Sequence, residues 1–174
     1  MKKIILVGLF LIIGIFVGLT ISNSQAEVRV LNDVDVFPTL LREINNADDS
    51  VHLIVFEINY YDNYPDSPSN QLIEALVGAK DRGVDVKIIT DGVLFDHDEN
   101  YEYLTGLGLN VKSDTDDKVT HNKLVIIDSE KVIVGSSNWS YHSLVENHES
   151  NVIITNSDIA RDFENYFNGV WDDY

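Results

Sequence analysis

Residues 121–138 read HNKLVIIDSEKVIVGSSN, and this stretch decides how the rest of the chain is interpreted. It contains two apolar runs separated by a short polar segment, which is the pattern of two adjacent strands joined by a turn. The strands are predicted at residues 121–127 and 131–134, with Ser129 and Glu130 as the connecting turn. The polar residues on either side of the runs therefore fall at the ends of a buried hairpin.

His121 and Lys123 are the candidate reactive residues of this hairpin. Side chains two residues apart in a strand project from the same face, so the imidazole and the ammonium are predicted to lie together. This pair suits attack on an anionic centre such as a phosphate diester, because the ammonium neutralises charge that repels a nucleophile. Ser136 and Asn138 follow the second strand, where a hydroxyl and an amide can donate to the same phosphate oxygens.

The chain on both sides of the hairpin alternates between strand-like and helix-like segments. Further strands are predicted at residues 28–31, 50–58, 84–90, 110–112 and 151–155, and helices near residues 38–44, 69–82, 99–107 and 157–171. The runs at 50–58 and 84–90 are nearly continuously apolar, as in strands buried on both faces. This order predicts an α/β fold in which a mixed β-sheet is sandwiched by helices.

Composition excludes several classes of protein. The 174 residues contain no cysteine, so disulfides and thiolate metal sites are ruled out, and 44% apolar content argues against disorder. Twelve basic side chains face 29 acidic ones, a net charge of −17. That sign disfavours a protein that holds nucleic acid on a broad basic surface, although it allows a small local basic site.

Residues 1–26 differ from the rest of the chain. Lys2 and Lys3 are their only charged residues, an uncharged stretch of 18 residues follows at 4–21, and Ser24-Gln25-Ala26 supplies small residues typical of a cleavage site. We interpret this segment as a leader that is either a cleaved signal peptide or a retained membrane anchor. Either form places the body, residues 27–174, outside the cytoplasmic membrane, as a secreted, periplasmic or outer-face protein.

The pattern H-x-K-x-x-x-x-D followed by G-S-x-N resembles the signature of the phospholipase D superfamily. Residues 79–91 resemble the family segment A-x-x-R-G-V-x-V-x-x-x-x-D, and residues 104–111 its L-x-x-x-G-x-x-V segment. Residues 147–154 resemble its N-x-E-N-x-V-I segment, except that Ser150 separates Glu149 from Asn151. The resemblance covers residues 28–174 and implies the phospholipase D-like fold.

The resemblance implies a phosphodiesterase that uses no metal or other cofactor and works through a phosphohistidine. His121 becomes the nucleophile or the acid, and Lys123, Ser136 and Asn138 become the phosphate-binding residues. Glu149 is expected to orient the imidazole by a hydrogen bond to its far nitrogen. Asp128 completes the family's catalytic motif, but its strand parity is opposite to that of His121, which favours a structural role.

The reaction of this family needs two histidines of opposite protonation state. The other histidines are His52, His97, His142 and His148, and none is followed two residues later by Lys. The sequence therefore predicts a homodimer in which two copies of His121 share one active site. A second histidine supplied from within the chain is the alternative.

The resemblance to this family indicates the reaction and leaves the substrate open. A possible anchor favours phospholipid head groups, and the body's net charge of −19, with ten basic and 29 acidic side chains, argues against nucleic acid. An exported endonuclease is the alternative, and a catalytically silent dimeric envelope protein is a third reading. Tyr60, Tyr61 and Tyr64, in a polar loop before residue 69, fit either a rim for substrate or ordinary loop packing.

Overall fold

The computed structural model describes residues 25–92, 99–114 and 119–174. Within these residues, seven strands form one mixed sheet in the order β1-β7-β6-β5-β2-β3-β4. The strands are β1 (Glu27–Asn32), β2 (Ser50–Val55), β3 (Asp85–Asp91), β4 (Asn110–Asp114), β5 (Lys123–Ile127), β6 (Lys131–Gly135) and β7 (Ser150–Thr155). The β2–β3 and β3–β4 pairs are parallel and the remaining pairs antiparallel, so the predicted α/β class with a mixed sheet is confirmed.

Helices cover both faces of the sheet. They are α1 (Val36–Asn45), α2 (Pro68–Asp81), α3 (Glu99–Gly106) and α4 (Ser157–Asp173). On β5, Val125 and Ile127 belong to the larger core, which contains the buried residues of α1, α2 and α3. Leu124 and Ile126 belong to a second core beneath Phe167 of α4. The four apolar residues Leu124–Ile127 thus serve two layers, which explains the continuous hydrophobic run of this strand.

The long helices begin and end where the sequence predicts, within two residues. Ser67 accepts a hydrogen bond from the Asn70 N–H at 3.3 Å and caps α2, and Asn156 accepts from the first turn of α4. Gly83, predicted as the helix stop, follows α2 with a φ of 95°, a left-handed conformation that glycine adopts without strain.

Two predicted strands are shorter in the structure. The prediction extended β2 to residue 58, whereas β2 ends at Val55, and it began β5 at His121, whereas β5 begins at Lys123. Val55 is paired with Lys123, so each strand ends where its partner does. Beyond that point a hydrogen bond still joins the two segments, from the Phe56 N–H to the Asn122 carbonyl at 2.9 Å.

The strand register gives the sheet two functionally different ends. Val55 at the end of β2 lies opposite Lys123 at the start of β5, and β6 ends on the same side because it runs antiparallel to β5. We call this the motif end. On the opposite side, Thr155 pairs with both Glu27 and Lys131, and we call this the leader end.

The predicted leader falls almost wholly on residues 1–24, which lie outside the described residues. In the part of the chain that the structure describes, no helix is long and apolar enough to cross a bilayer.

The leader end contains a buried ion-pair cluster that makes stability depend on pH. Glu43 is buried and its carboxylate lies 2.6 Å from Arg42 Nη2 and 2.7 Å from Lys131 Nζ. Burial pushes the pKa of Glu43 upward, but the hydrogen bonds and charges of Lys131 and Arg42 together outweigh it and lower the pKa below its ordinary value of 4.5. A folded-state pKa below the unfolded one stabilises the fold above about pH 4.5, and this contribution is lost as the pH falls through the folded-state value.

We therefore expect Glu43→Gln to lower the free energy of unfolding by about 1–2 kcal/mol at pH 7. The difference from the unsubstituted protein should shrink as the pH falls below about 4.5, because Glu43 then becomes protonated as well. Urea unfolding followed by circular dichroism at pH 7, 5, 4 and 3 measures the difference. Glu102→Gln, on an exposed position of α3, is the matched control and should change little. A difference that stays constant over this range would contradict the assignment.

Candidate active site

His121 and Lys123 lie together at the motif end, both next to the same aromatic ring. The His121 ring is 4.9 Å from the Phe56 ring, between centroids, and Lys123 Nζ lies 4.9 Å from the same ring. Lys123 Nζ also donates to the His121 carbonyl at 3.0 Å. Phe56, the first residue after β2, therefore forms a shared support for the imidazole and the ammonium, and His121 remains exposed.

Burial and nearby negative charges act in opposite directions on the pKa of Lys123. Burial lowers the pKa of Lys123 below its ordinary value of 10.5, while the negative charges of Glu149 and Glu57 act in the other direction. The two carboxylates thus favour a cation that burial alone would penalise. Such a cation is placed to offset the charge of an incoming anion.

Gly135 allows the chain after β6 to approach β7 closely. A Cβ at Gly135 would collide with the Asn151 side chain and the Ser150 carbonyl, so the glycine of the G-S-x-N pattern has a steric reason. The following Ser137 is buried, and its backbone N–H and hydroxyl bind the Asn151 amide group at 3.2 and 2.8 Å. This attachment holds the neighbouring Ser136 at the motif end.

Asn138, predicted to bind phosphate, is fixed by two side chains. Its backbone N–H donates to Ser143 Oγ at 2.9 Å, and its Nδ2 donates to Glu57 Oε2 at 3.3 Å. Within the described residues its Oδ1 is buried without a hydrogen-bond partner. The amide is therefore held beside the site, with one of its two N–H groups engaged by Glu57.

Glu149 has different contacts from those the resemblance implied. No hydrogen bond joins it to the His121 ring in the described chain. Its carboxylate instead accepts hydrogen bonds from Ser136 Oγ, from Ser143 Oγ at 2.7 Å and from Asn147 Nδ2 at 3.3 Å. The only hydroxyl proton of Ser136 is thus directed at Glu149, so an anion must displace this bond before Ser136 can donate to it.

Asp128 lies away from the other predicted site residues, at the leader end of β5. Its carboxylate accepts hydrogen bonds from three successive backbone N–H groups, those of Asp48, Asp49 and Ser50, at 2.8 to 3.2 Å. Asp128 and Ser129 have φ values of 54° and 50°, and the Glu130 N–H donates to the Ile127 carbonyl, so the turn is of type I′ with Asp128 and Ser129 at its centre. This placement favours the structural reading of Asp128.

Two supporting residues, Glu57 and Ser143, were not predicted from the sequence. Glu57 holds Asn138, and Ser143 holds both Asn138 and Glu149. Glu57 carried a usable signal, because a polar residue just past a buried strand lies at the same sheet end as the motif. Ser143 carried none, because it lies in a π-helical turn, His142–Glu146, that follows no simple periodicity.

The residue before His121 is also anchored from within the core. The Thr120 N–H donates to Asp91 Oδ2 at 2.9 Å, and the Thr120 hydroxyl bonds to Asp114. Both aspartates are buried at the ends of β3 and β4. They fix the backbone from which the His121 side chain projects.

The remaining described histidines are each paired with a carboxylate. His52 Nδ1 is 2.8 Å from Glu164 beneath α4, His142 is 2.5 Å from Glu146, and His148 is 3.2 Å from Asp33. His97 falls outside the described residues. Within the described part of the chain, no hydrogen bond or ring contact joins another histidine to His121.

The fold and the site together define the class. A mixed α/β sheet presents an exposed imidazole, a partly buried ammonium, a hydroxyl and an amide at one end, and these are groups that handle a phosphate diester. Residues 40–171 match the family model described as "Cardiolipin synthase, PLD-like domain". The chain belongs to the phospholipase D superfamily, a family of phosphodiesterases, as the sequence pattern predicted.

Two curated relatives illustrate the similarity. The chain is 29% identical over 158 residues to the mitochondrial cardiolipin hydrolase of Mus musculus, covering 90% of this chain and 67% of that protein. It is 28% identical over 131 residues to a phospholipase D of Rickettsia typhi, covering 74% of this chain and 59% of that protein. The match spans about half to two thirds of the length of these relatives and their orthologues.

Solved structures share the fold. The phospholipase D family member Nuc from Salmonella typhimurium superposes with a TM-score of 0.73 at 25% identity, over 85% of this chain and 95% of that one. NucT from Helicobacter pylori superposes with a TM-score of 0.67 at 18% identity, over 85% and 97% of the two chains. The predicted phospholipase D-like fold is confirmed.

The contacts of Asp128 lead to a prediction that separates structure from chemistry. Asp128→Ala removes the acceptor of three backbone N–H groups, so we expect the free energy of unfolding to fall by about 2 kcal/mol. The kcat/KM of the folded fraction on a diester substrate should change by less than about threefold, because the site lies at the other end of β5. Urea unfolding and steady-state kinetics measure the two quantities. Glu130→Ala, at an exposed position of the same hairpin, serves as control, and a large loss of kcat at unchanged stability would show that Asp128 acts in catalysis.

Proposed function

We propose that this chain is an exported phosphodiester hydrolase of the phospholipase D type that acts on phospholipid head groups through a phosphohistidine. The observation that carries the proposal is the placement of His121 and Lys123 against Phe56 at an open end of the sheet. An exposed imidazole there can reach phosphorus, and the adjacent ammonium offsets the charge of the diester.

The reaction proceeds in two displacements. A nitrogen of His121 attacks phosphorus, the bond to the leaving alcohol oxygen breaks, and a second, protonated imidazole donates its proton to that oxygen. Water then gives a proton to the second imidazole and attacks phosphorus, and the bond to His121 breaks. Lys123 and Asn138 bind the phosphate oxygens throughout. No step draws on a metal ion, so we expect turnover in EDTA.

A second copy of the chain supplies the second imidazole. Each described histidine other than His121 is engaged with a carboxylate, and no hydrogen bond or ring contact joins any of them to His121. A twofold axis through the motif end brings two exposed copies of His121 to one phosphate, which meets the need for a base and an acid with a single motif. The active form is therefore a homodimer with one shared site.

Two observations support phospholipid as the substrate, namely the negative charge of the body and the names of the similar proteins. The body carries a net charge of −19, which opposes the approach of a polyanion. The curated relatives described above are named as a cardiolipin hydrolase and a phospholipase D. Endonuclease activity is the second candidate, because this chain matches the Nuc structure over 95% of the Nuc chain.

We also propose that residues 1–26 export the body, as a cleaved signal or as an anchor through residues 4–21.

The substrate assay compares three diesters in EDTA. The purified full chain in nonionic detergent is incubated with phosphatidylcholine micelles, single-stranded DNA and RNA, beside His121→Ala and Lys123→Ala. We expect release of the head-group alcohol and a loss of at least 100-fold in kcat for each variant. Asn122→Ala, between the two residues, is the control. Cleavage of nucleic acid alone would select the endonuclease, and cleavage of none, or only with added metal, would contradict the mechanism.

Subunit mixing tests the shared site. When the chain is coexpressed with His121→Ala at equal levels, a quarter of the dimers carry two intact histidines, so activity per total dimer should fall to about 25%. A chain that supplies both histidines itself would retain about 50%. Light scattering on the same preparations gives the oligomeric state, and a fully active monomer would refute the dimer.

A further inference from the structure

Three tyrosines and a histidine line a cavity of about 310 Å³ beside the site. The lining residues are Tyr61, Tyr64, Tyr141 and His142. Tyr61 and Tyr64 come from the loop between β2 and α2, and the other two residues lie at the start of the π-helical turn. Tyr64 is 68% exposed and Tyr141 39% exposed, so their rings are open to a ligand. A cavity of this volume is within the range of small-molecule sites.

Hydrogen bonds connect this cavity to the phosphate-binding residues. Tyr61 Oη accepts from the Tyr141 N–H at 3.0 Å and from Asn59 Nδ2 at 3.3 Å. Asn59 Nδ2 also donates to Glu57 Oε1 at 2.6 Å, and Glu57 Oε2 accepts from Asn138. A chain of hydrogen bonds thus links the cavity wall to the motif end and fixes the position of Tyr61 relative to Asn138.

The charges around the cavity favour a cation. No lining residue is Lys or Arg, Glu146 lies 2.5 Å from His142, and Asp62 and Asp66 are exposed on the loop that carries the tyrosines. Aromatic faces bind quaternary ammonium groups by cation–π attraction, and surrounding carboxylates strengthen the field. A nucleic acid would instead bring one phosphate per nucleotide into this acidic surface.

We propose that Tyr61, Tyr64 and Tyr141 form an aromatic cage for the quaternary ammonium head group of a zwitterionic phospholipid. This inference rests on the proposed phospholipid hydrolase and narrows its substrate. The lipid phosphate binds at Lys123 and Asn138, and the trimethylammonium end binds in the cage. Hydrolysis breaks the bond between phosphorus and the choline oxygen, so phosphatidylcholine and water yield phosphatidic acid and choline. An acidic body is then suited to its substrate, since the group it captures is cationic.

Direct binding tests the cage without requiring turnover. Choline chloride is titrated calorimetrically into the full chain in nonionic detergent, and ethanolamine hydrochloride is the comparison ligand. We expect choline to bind more tightly than ethanolamine, and Tyr64→Ala and Tyr141→Ala each to weaken choline binding about 5- to 30-fold. Tyr64→Phe should stay within about threefold, because it keeps the ring. Tyr166→Ala, an exposed tyrosine of α4 on the other face of the sheet, is the matched control.

Turnover gives the second readout. Phosphatidylcholine and phosphatidylglycerol are compared as substrates in mixed micelles, and we expect Tyr64→Ala to raise the KM for phosphatidylcholine by about 5- to 30-fold and to leave phosphatidylglycerol unchanged. Choline binding that depends on the tyrosines in a chain that cleaves no phospholipid would support the cage and refute the proposed substrate. Equal KM values for both lipids, unaffected by Tyr64→Ala, would refute the cage alone. A raised KM for single-stranded DNA in Tyr64→Ala would show that the rings stack on bases, and would also refute it.

Discussion

The site depends on the pairing of β5 between β2 and β6. Four residues, Leu124–Ile127, are paired with strands on both sides, and this register determines which ends of the strands meet at the motif end. A shift of one residue would turn Lys123 to the opposite face and exchange the two cores. Hydrogen bonds fix the chain at both ends of β5. Asp128 binds three backbone N–H groups at the leader end, and Thr120 is bonded to two buried aspartates at the other.

The same register explains how an acidic protein maintains a cationic site. Burial against Phe56 opposes the charge on Lys123, and the carboxylates of Glu57 and Glu149 favour it. Both carboxylates are themselves held by hydrogen-bond donors, Asn138 and Asn59 on one side and Ser136 and Ser143 on the other. The resulting field is local. Farther from the site the excess of acidic side chains determines the sign of the field, because the fields of opposite charges cancel with distance and the net charge remains.

The sequence was sufficient to predict the sheet and the proximity of His121 and Lys123, because both follow from short-range patterns. Two-layer burial of β5 produces a continuous apolar run, and the spacing of His121 and Lys123 is local. Contacts that depend on the three-dimensional arrangement of loops and turns could not be predicted from such patterns. Nothing in the sequence indicates that Ser143, in a π-helical turn, receives the Asn138 N–H, or that Glu149 binds Ser136 rather than the His121 ring. The strand ends were overestimated for the same reason, since a strand ends where its partner does.

The topology also links the proposed leader to the proposed substrate. β1 begins at Glu27, at the leader end, and its six residues span about 20 Å toward the motif end. An anchor at residues 4–21 would leave five residues before β1, a reach of about 17 Å, so it would hold the leader end close to the bilayer. With the strands upright, the site would then face away from that membrane. A retained anchor and a lipid substrate in the same membrane therefore require the strands to lie along its surface, whereas cleavage of the leader removes this requirement.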